Sequence, residues 1–477
     1  MLLRWGSVAL VILIVVVSVV EYVGHKTPLE QLMGVVSWFG GQTMADATGR
    51  PRQGQTVIRM GVASWQMREF PWDETIRRYE EKHPDIRIEA TPLPEGSLNS
   101  MLLFWASGYT EFDCVVAWAD EEIHPFIDYN WNSPEPERRS LLVNVRDPKY
   151  LTGEQLGTFV PALWAGCTRV DERTGTACSY ELPWMGEVLA LNYNKKFLEE
   201  RGINTPLRTW EEVEEASKKL MGLTYQGKPV APLAMNFDQK GFFAQNCYVP
   251  MLAAYKKDRG IANEKGRIDV SSPEAAEVFK TLKRWYQAGY ISRSAMVSAD
   301  VEQDLRVMRA AMYPHWQSRG LWAVSDHGSD VIGIAPTPGA DVAGSLVATY
   351  GAIIPKCSPH IKEAFQFCYE ALCTDDYGFQ TGVSIGWKDP ETGKIAHGGK
   401  MPSIKSMYEK PDMPPGIVEL GRGLSRGYVV PDPVNWMQCS EIIVVEFQKF
   451  LTGTTPTAEE ALKRVQVRLD QEVYPQR

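Results

Sequence analysis

Paired cysteines, clustered histidines and blocks of positive charge are what this 477-residue chain lacks. Its eight cysteines form no C-x-x-C pair, which argues against a zinc ribbon or a thioredoxin-like redox site. The seven histidines (His25, His83, His124, His315, His327, His360 and His397) stand singly, with no H-x-H or H-E-x-x-H. No metal and no other cofactor is therefore expected. Fifty Lys and Arg against 59 Asp and Glu leave a net charge of −9 without a basic run. Nucleic acid is excluded as a partner on that ground, because neutralising phosphates needs clustered cations. No Walker A sequence occurs, nor a G-x-G-x-x-G that opens a helix after a strand. Gly382-Val383-Ser384-Ile385-Gly386 matches the pattern of a nucleophile elbow. That elbow needs a strand before the serine and a helix after it. Here a helical pattern precedes, and Trp387-Lys388-Asp389-Pro390 cannot begin a regular helix. Acidic residues are plentiful, but sequence spacing does not set the separation that a glycosidase pair requires. No catalytic residue is assigned.

What is present is an ordinary globular balance, 44% apolar and 23% charged, in a chain long enough for two or three domains. This rules out disorder, a disulfide mini-scaffold and a polytopic membrane protein. Tryptophan is abundant at 15 residues, and aromatics this dense often line a binding cleft. At the start, Arg4 precedes an apolar run from Val8 to Val20, with Glu21 the first charge after it. This has the form of a membrane-targeting segment. No small-x-small site follows closely, and the first cysteine is Cys114, too far for lipid attachment. Leu2 to Val23, as a helix, spans about 33 Å, enough to cross a bilayer. An uncleaved anchor over 1–23 is favoured over a cleaved signal peptide, with the remainder exported. Cys167 and Cys178 flank a polar, turn-like stretch, and in an oxidising compartment a disulfide is expected to close it.

Residues 24–55, rich in Gly and polar residues, read as a linker. From Thr56 the pattern runs strand, helix, strand, helix, strand to Asp120, an open α/β sheet. Ser97 is a candidate N-cap and Gly108 a stop for the second helix. A second unit opens at ELPWMGEVLALNYN, read as a strand, followed by a short helix that Gly202 closes. Thr209 with Glu212, and Thr457 with Glu460, have capping-box spacing. Ser272-Pro273 is a strong helix start, and Ala461, Leu462, Val465 and Leu469 form one apolar stripe. An exported, two-unit α/β body rich in Trp and without catalytic apparatus suggests a binder. Aromatic faces stack on sugar rings, while carboxylates and amides bond hydroxyls.

At ELPWMGEVLALNYNKKFLEERGINTPLRTWEEVEEASKKL the chain resembles family 1 extracellular solute-binding proteins of ABC importers, the maltose-binding protein relatives. Tyr193-Asn194-Lys195 and Thr209-Trp210-Glu211-Glu212 stand at the family's spacing. FDCVVAWAD, RAAMYPHW, GAIIPKCSPHIKEAFQF and FLTGTTPTAEEALKRVQ agree in order, so the likeness spans Val57 to Val473. It implies an α/β, two-lobed periplasmic-binding fold of type II, each lobe an open, mostly parallel sheet flanked by helices. The implied lobes are 57–185 plus 338–374, and 186–337 plus 375–477. Crossings are expected near Met185–Glu187, Thr337 and Thr374–Asp376.

The implied function is capture of a sugar or oligosaccharide between the lobes by a monomer and delivery to an ABC importer permease. Carried over position by position, ligand-binding residues are Trp65, Trp118, Asp120, Trp184, Glu187, Trp316, Tyr350, Trp387 and Trp436. Trp210 is read as structural, and Trp105 and Trp285 as core. The anchor and the cysteine excursion depart from the family's usual form. They leave open a ligand-sensing module for a membrane signalling partner; a secreted carbohydrate hydrolase is a further alternative.

Overall fold

The structure, a computed structural model, describes residues 54–474 apart from 95, 117–122, 128, 131–132, 134, 136–137, 172–174, 239–241, 259–260, 264–266, 389–394, 397–398 and 431–434. The expected anchor at 1–23, nearly all of the linker, and Trp118 and Asp120 lie outside the described residues. Among the described residues no helix is long and apolar enough to cross a membrane.

The chain begins as its hydrophobic alternation dictates. Strand β1 (Thr56–Ala63) buries Ile58, Met60 and Val62. The short helix α1 (Ser64–Glu69) follows, then α2 (Trp72–Lys82), which buries Trp72, Thr75 and Tyr79 along one stripe. β2 (Ile86–Leu93), α3 (Ser97–Ala106) and β3 (Cys114–Val116) complete the expected run, with β2 and β3 parallel to β1. Gly108 does stop α3, at φ 83°. Ser97, however, is not its cap: Gly96 holds that position, and the Ser97 hydroxyl donates to Pro94 O at 2.6 Å.

Helix α4 (Pro161–Gly166) leads into a hairpin of β4 (Thr168–Asp171) and β5 (Thr176–Ser179). Its register sets Arg169, not Cys167, opposite Cys178. Cys167 itself lies outside the hairpin, closing α4 with helical backbone angles just before β4.

The long strand β6 (Leu182–Asn194) is buried at every residue. α5 (Lys195–Glu200) follows it, then α6 (Trp210–Leu220), whose capping box forms in full between Thr209 and Glu212. The second unit continues with β7 (Ala231–Leu233), α7 (Pro273–Gln287, capped by Ser272), β8 (Ala310–Trp316), α8 (Gln317–His327) and β9 (Ile332–Pro336). β10 (Val347–Ile353), α9 (Ile361–Phe367), α10 (Phe379–Ser384), β11 (Met401–Pro402), α11 (Trp436–Leu451) and α12 (Ala458–Arg468) close the chain. Ser384 of the G-x-S-x-G sequence ends a helix, and its hydroxyl donates to Gln380 O at 2.6 Å. The strand-turn-helix of a nucleophile elbow is absent there.

One continuous sheet runs β2-β1-β3-β10-β6-β8-β7, with β9 and β11 also pairing with β6. It is mixed rather than mostly parallel, because β3, β6, β8, β9, β10 and β11 meet in antiparallel pairs. β6 is shared: Leu182 to Val188 pair with β10, and Leu189 to Asn194 pair with β8 and β9. Two large hydrophobic cores result, one around β1, β2 and β3 with α10, the other around α6, α7, α11 and α12. A smaller cluster under α3 extends the first.

The chain passes between cores at three places that are bonded to one another. Leu189 N donates to Leu346 O at 2.8 Å, Val347 N to Tyr428 O at 2.7 Å, and Tyr428 N to Ser345 O at 3.0 Å. Along β6 the change of core falls between Val188 and Leu189, just after the expected Met185–Glu187. Ala343 and Leu346 still pack in the second core and Val347 in the first, so the second change falls after Thr337. Phe379, Val383, Met401, Met407, Ile417 and Leu424 belong to the first core, not to the second as the 375–477 assignment implied. The return comes between Leu424 and Tyr428. An apolar helix pattern does not say which sheet face receives it.

Candidate functional site

Glu187 lies one residue before the point where β6 changes partners, and it gathers groups from both lobes. From the first lobe, Tyr350 of β10 donates its hydroxyl to Glu187 Oε2 at 2.8 Å. Lys400, held by the pairing of β11 with Met185 and Gly186, donates to Oε1 at 2.9 Å. From the second lobe, Ser318 in the first turn of α8 donates to the same oxygen. Next to it, Gln317 accepts from Val188 N at 2.6 Å and donates to Gly399 O at 3.1 Å, locking α8 to the crossing and to the Lys400 segment. The ion pair is buried on both sides, at 2% and 3% side-chain exposure. Burial pushes the Glu187 carboxyl up, but Lys400, Arg319 and the Ser318 hydroxyl together hold it below its ordinary value.

Three more polar groups border this pair. Arg319 faces Glu302 at 3.6 Å and stacks on the Trp322 ring at 4.3 Å. Glu69 ends α1, and its carboxylate makes no hydrogen bond or ion pair among the described residues. Burial raises its carboxyl above the usual range, against the pull of Lys400, and the Glu187 charge adds to the rise. His315 of β8 is fully buried, and its Nδ1 accepts from Trp316 N at 2.9 Å. Nε2 therefore carries the proton, and among the described residues it has no acceptor. Burial, with Arg319 and Lys400 nearby, keeps this imidazole well below its ordinary pKa and so neutral.

The aromatic residues expected to bind ligand divide into two groups. Trp65 is half-buried, with its ring edge-on to Tyr350 at 6.0 Å and the Lys400 ammonium 5.5 Å from its centre. Trp387 is also half-buried, and its indole N–H donates to Glu69 O at 3.2 Å. Trp316 ends β8 with 5% exposure. The Trp316 ring packs in the second core, whereas Trp65 and Trp387 are brought, with Glu187 and Tyr350, to one place beside the crossing. Trp184 and Trp436 are not. Trp184 is fully buried, enclosed by Phe70, Trp72, Tyr350 and Phe379. Trp436 is fully buried in the second core at the start of α11. Both are corrected to core residues: with no surface exposed, neither ring offers a ligand a face.

Glu69, Ser318, Arg319 and Lys400 were not anticipated. Lys400 sits in a stretch, HGGKMPS, that carries no periodicity and no motif. Two carboxylates and two cations with hydroxyls between them form a balanced set of acceptors and donors. Such a set suits a neutral, hydroxyl-rich ligand better than an ion of either sign. No group of His, Cys, Asp and Glu among the described residues could hold a metal ion.

Two α/β lobes joined by three bonded crossings, with polar groups of both lobes converging beside them, define a two-lobed solute-binding protein. The model of the family described as bacterial extracellular solute-binding protein matches residues 69–368, and the chain belongs to that family. Among solved structures, it is similar to maltose-bound MalE3 of T. maritima, at 20% identity and a TM-score of 0.67, covering 87% of this chain and 99% of that one. The maltose/maltodextrin-binding domain MalE of Bdellovibrio bacteriovorus, bound to maltotriose, matches at 18% identity and a TM-score of 0.63, over 88% and 100%. Lmo0181 of Listeria monocytogenes, an ABC substrate-binding protein in complex with cycloalternan, matches at 17% and 0.64, over 87% and 98%. Each likeness is one of fold, with the family name adding that the protein acts outside the cytoplasm.

Proposed function

We propose that this protein captures a sugar or oligosaccharide between its lobes and delivers it to the permease of an ABC importer, without covalent chemistry. The observation that carries this reading is the interlobe cluster. Glu69 offers an unpaired acceptor, Trp65 and Trp387 offer half-buried rings, and Arg319, Lys400 and Ser318 offer donors from both sides. Relatives whose structures hold maltose, maltotriose and cycloalternan support the ligand class. Trp118 and Asp120, which follow β3, belong in the same proposal as further contacts. So do tethering of a monomer through 1–23 and closure of the hairpin by Cys167–Cys178, which a mass difference between reduced and non-reduced alkylated protein detects.

Thermal-shift screening against mono-, di- and oligosaccharides, polyols, amino acids and glycerol phosphates tests the central reading. A ligand that binds only the folded state stabilises it by about 2.7 kcal/mol at 100 times Kd. A saccharide is expected to raise Tm, and Trp65→Ala to abolish the rise. A rise confined to a non-saccharide class would overturn the assignment.

A further inference from the structure

A 410 Å³ pocket lies on the first lobe between α4 and the chain at Lys405, and it shares no residue with the interlobe cluster. Its volume is within the range of about 300–1,000 Å³ typical of small-molecule sites. The walls are apolar, and Phe159 and Trp164 supply rings 5.0 Å apart at 31°. The charged groups that line it are Arg146 and Lys405, with no carboxylate among the lining residues.

These cations have not been neutralised from within. Lys405 Nζ donates to Gly157 O at 2.7 Å, a neutral acceptor. Arg146 uses only its backbone N–H, toward Asn144 Oδ1 at 3.2 Å, and its half-buried guanidinium has no partner among the described residues. Trp164 is 8% exposed, and among the described residues its indole N–H also lacks an acceptor. Unpaired donors beside apolar walls carry a desolvation cost that an anionic acceptor offsets. A guanidinium presents two parallel N–H groups to a carboxylate, and flat rings beside it accommodate a planar apolar body.

We propose that this pocket binds a small organic anion, with its carboxylate between Arg146 and Lys405 and its planar apolar part against Phe159 and Trp164. The position is fixed by the fold. Val160 N donates to Ser403 O at 2.8 Å, and Phe159 bridges to Ile404, so the ring wall and the Lys405 segment are one bonded unit.

The test is titration calorimetry of the full chain in non-ionic detergent with phenylacetate, phenylacetamide and phenethylamine. Phenylacetate is expected to bind saturably at one site, the neutral amide about tenfold more weakly, and the amine not at all. Arg146→Gln should weaken phenylacetate about tenfold, and Lys405→Gln, at an exposed position, should act in the same direction. Arg319→Gln, in the interlobe cluster, should leave phenylacetate binding unchanged. Absence of saturable phenylacetate binding to the wild type would overturn the proposal. So would equal binding of acid and amide. Loss in Arg319→Gln with none in a folded Arg146→Gln would assign the anion to the interlobe cluster instead.

Discussion

Lys400 and Glu187 stabilise the crossing only as a pair. Removing one partner of a buried ion pair leaves an uncompensated charge and costs about 3–5 kcal/mol, whereas replacing both with apolar or neutral groups costs much less. Lys400→Met should therefore lower unfolding stability by about that amount in urea denaturation. The double variant Glu187→Gln/Lys400→Met should recover a large part of the loss. The acid limb of stability follows from the same group. A carboxyl held below its unfolded value contributes stability above the unfolded pKa of about 4.3 and loses it as pH falls through the folded value. Glu69 behaves oppositely, because burial raises it. It takes up a proton at a higher pH than an ordinary glutamate, so saccharide affinity should begin to fall in mild acid above about 4.3. Glu69→Gln should flatten that part of the affinity–pH profile, measured by calorimetry; an unchanged profile would remove Glu69 from the site. At this scale Glu187 and Tyr350 could be named in advance because each sits in a recognisable block, within β6 and within β10, while Trp65 falls just past β1, in α1. Lys400 and Arg319 could not, since only the crossing of the chain brings them near. Trp184 and Trp436 were misread because a large ring beside a strand or helix start looks the same whether it faces a cleft or a core.

Local chemistry decided most elements. The capping boxes show how far such signals carry. Around Thr209 both halves form: Glu212 N donates to Thr209 Oγ1 at 3.2 Å, and the Glu212 carboxylate accepts from Thr209 N at 3.4 Å. At Thr457 only the forward half forms, since Glu460 turns instead to Arg464 at 2.6 Å. Thr209→Ala and Thr457→Ala should each cost about 1 kcal/mol. Glu212→Ala should add to the first loss, while Glu460→Ala, removing an exposed helix ion pair, should cost about 0.3–0.5 kcal/mol. Equal losses at the two glutamates in thermal denaturation would contradict this difference. The stripe Ala461, Leu462, Val465 and Leu469 is buried throughout, as its spacing required. Ser97 failed as a cap because a left-handed glycine before it already turned the chain, a conformation that sequence spacing does not reveal.

Over the whole molecule, two of the three crossings that join the lobes also bear the interlobe cluster. Glu187 precedes one, Tyr350 follows another, and Gln317 ties the helix carrying Ser318 and Arg319 to Val188. Movement of the lobes therefore changes the surroundings of the cluster directly, which is how occupancy between lobes can be coupled to their closure. The two-lobed fold was legible from blocks in order. The lobe boundaries were not, because Tyr377, Phe379, Val383, Met401, Met407, Ile417 and Leu424 stay with the first core through apolar contacts that any amphipathic segment could make.

Isothermal titration of the saccharide found by thermal shift, against the wild type, Trp65→Ala and Glu69→Gln, tests the central claim most directly. One site per chain is expected, with a Kd on the order of 1 μM, about −8.2 kcal/mol. Both variants should bind at least about tenfold more weakly while unfolding at the wild-type temperature without ligand. Wild-type affinity in both variants would contradict capture at the interlobe cluster.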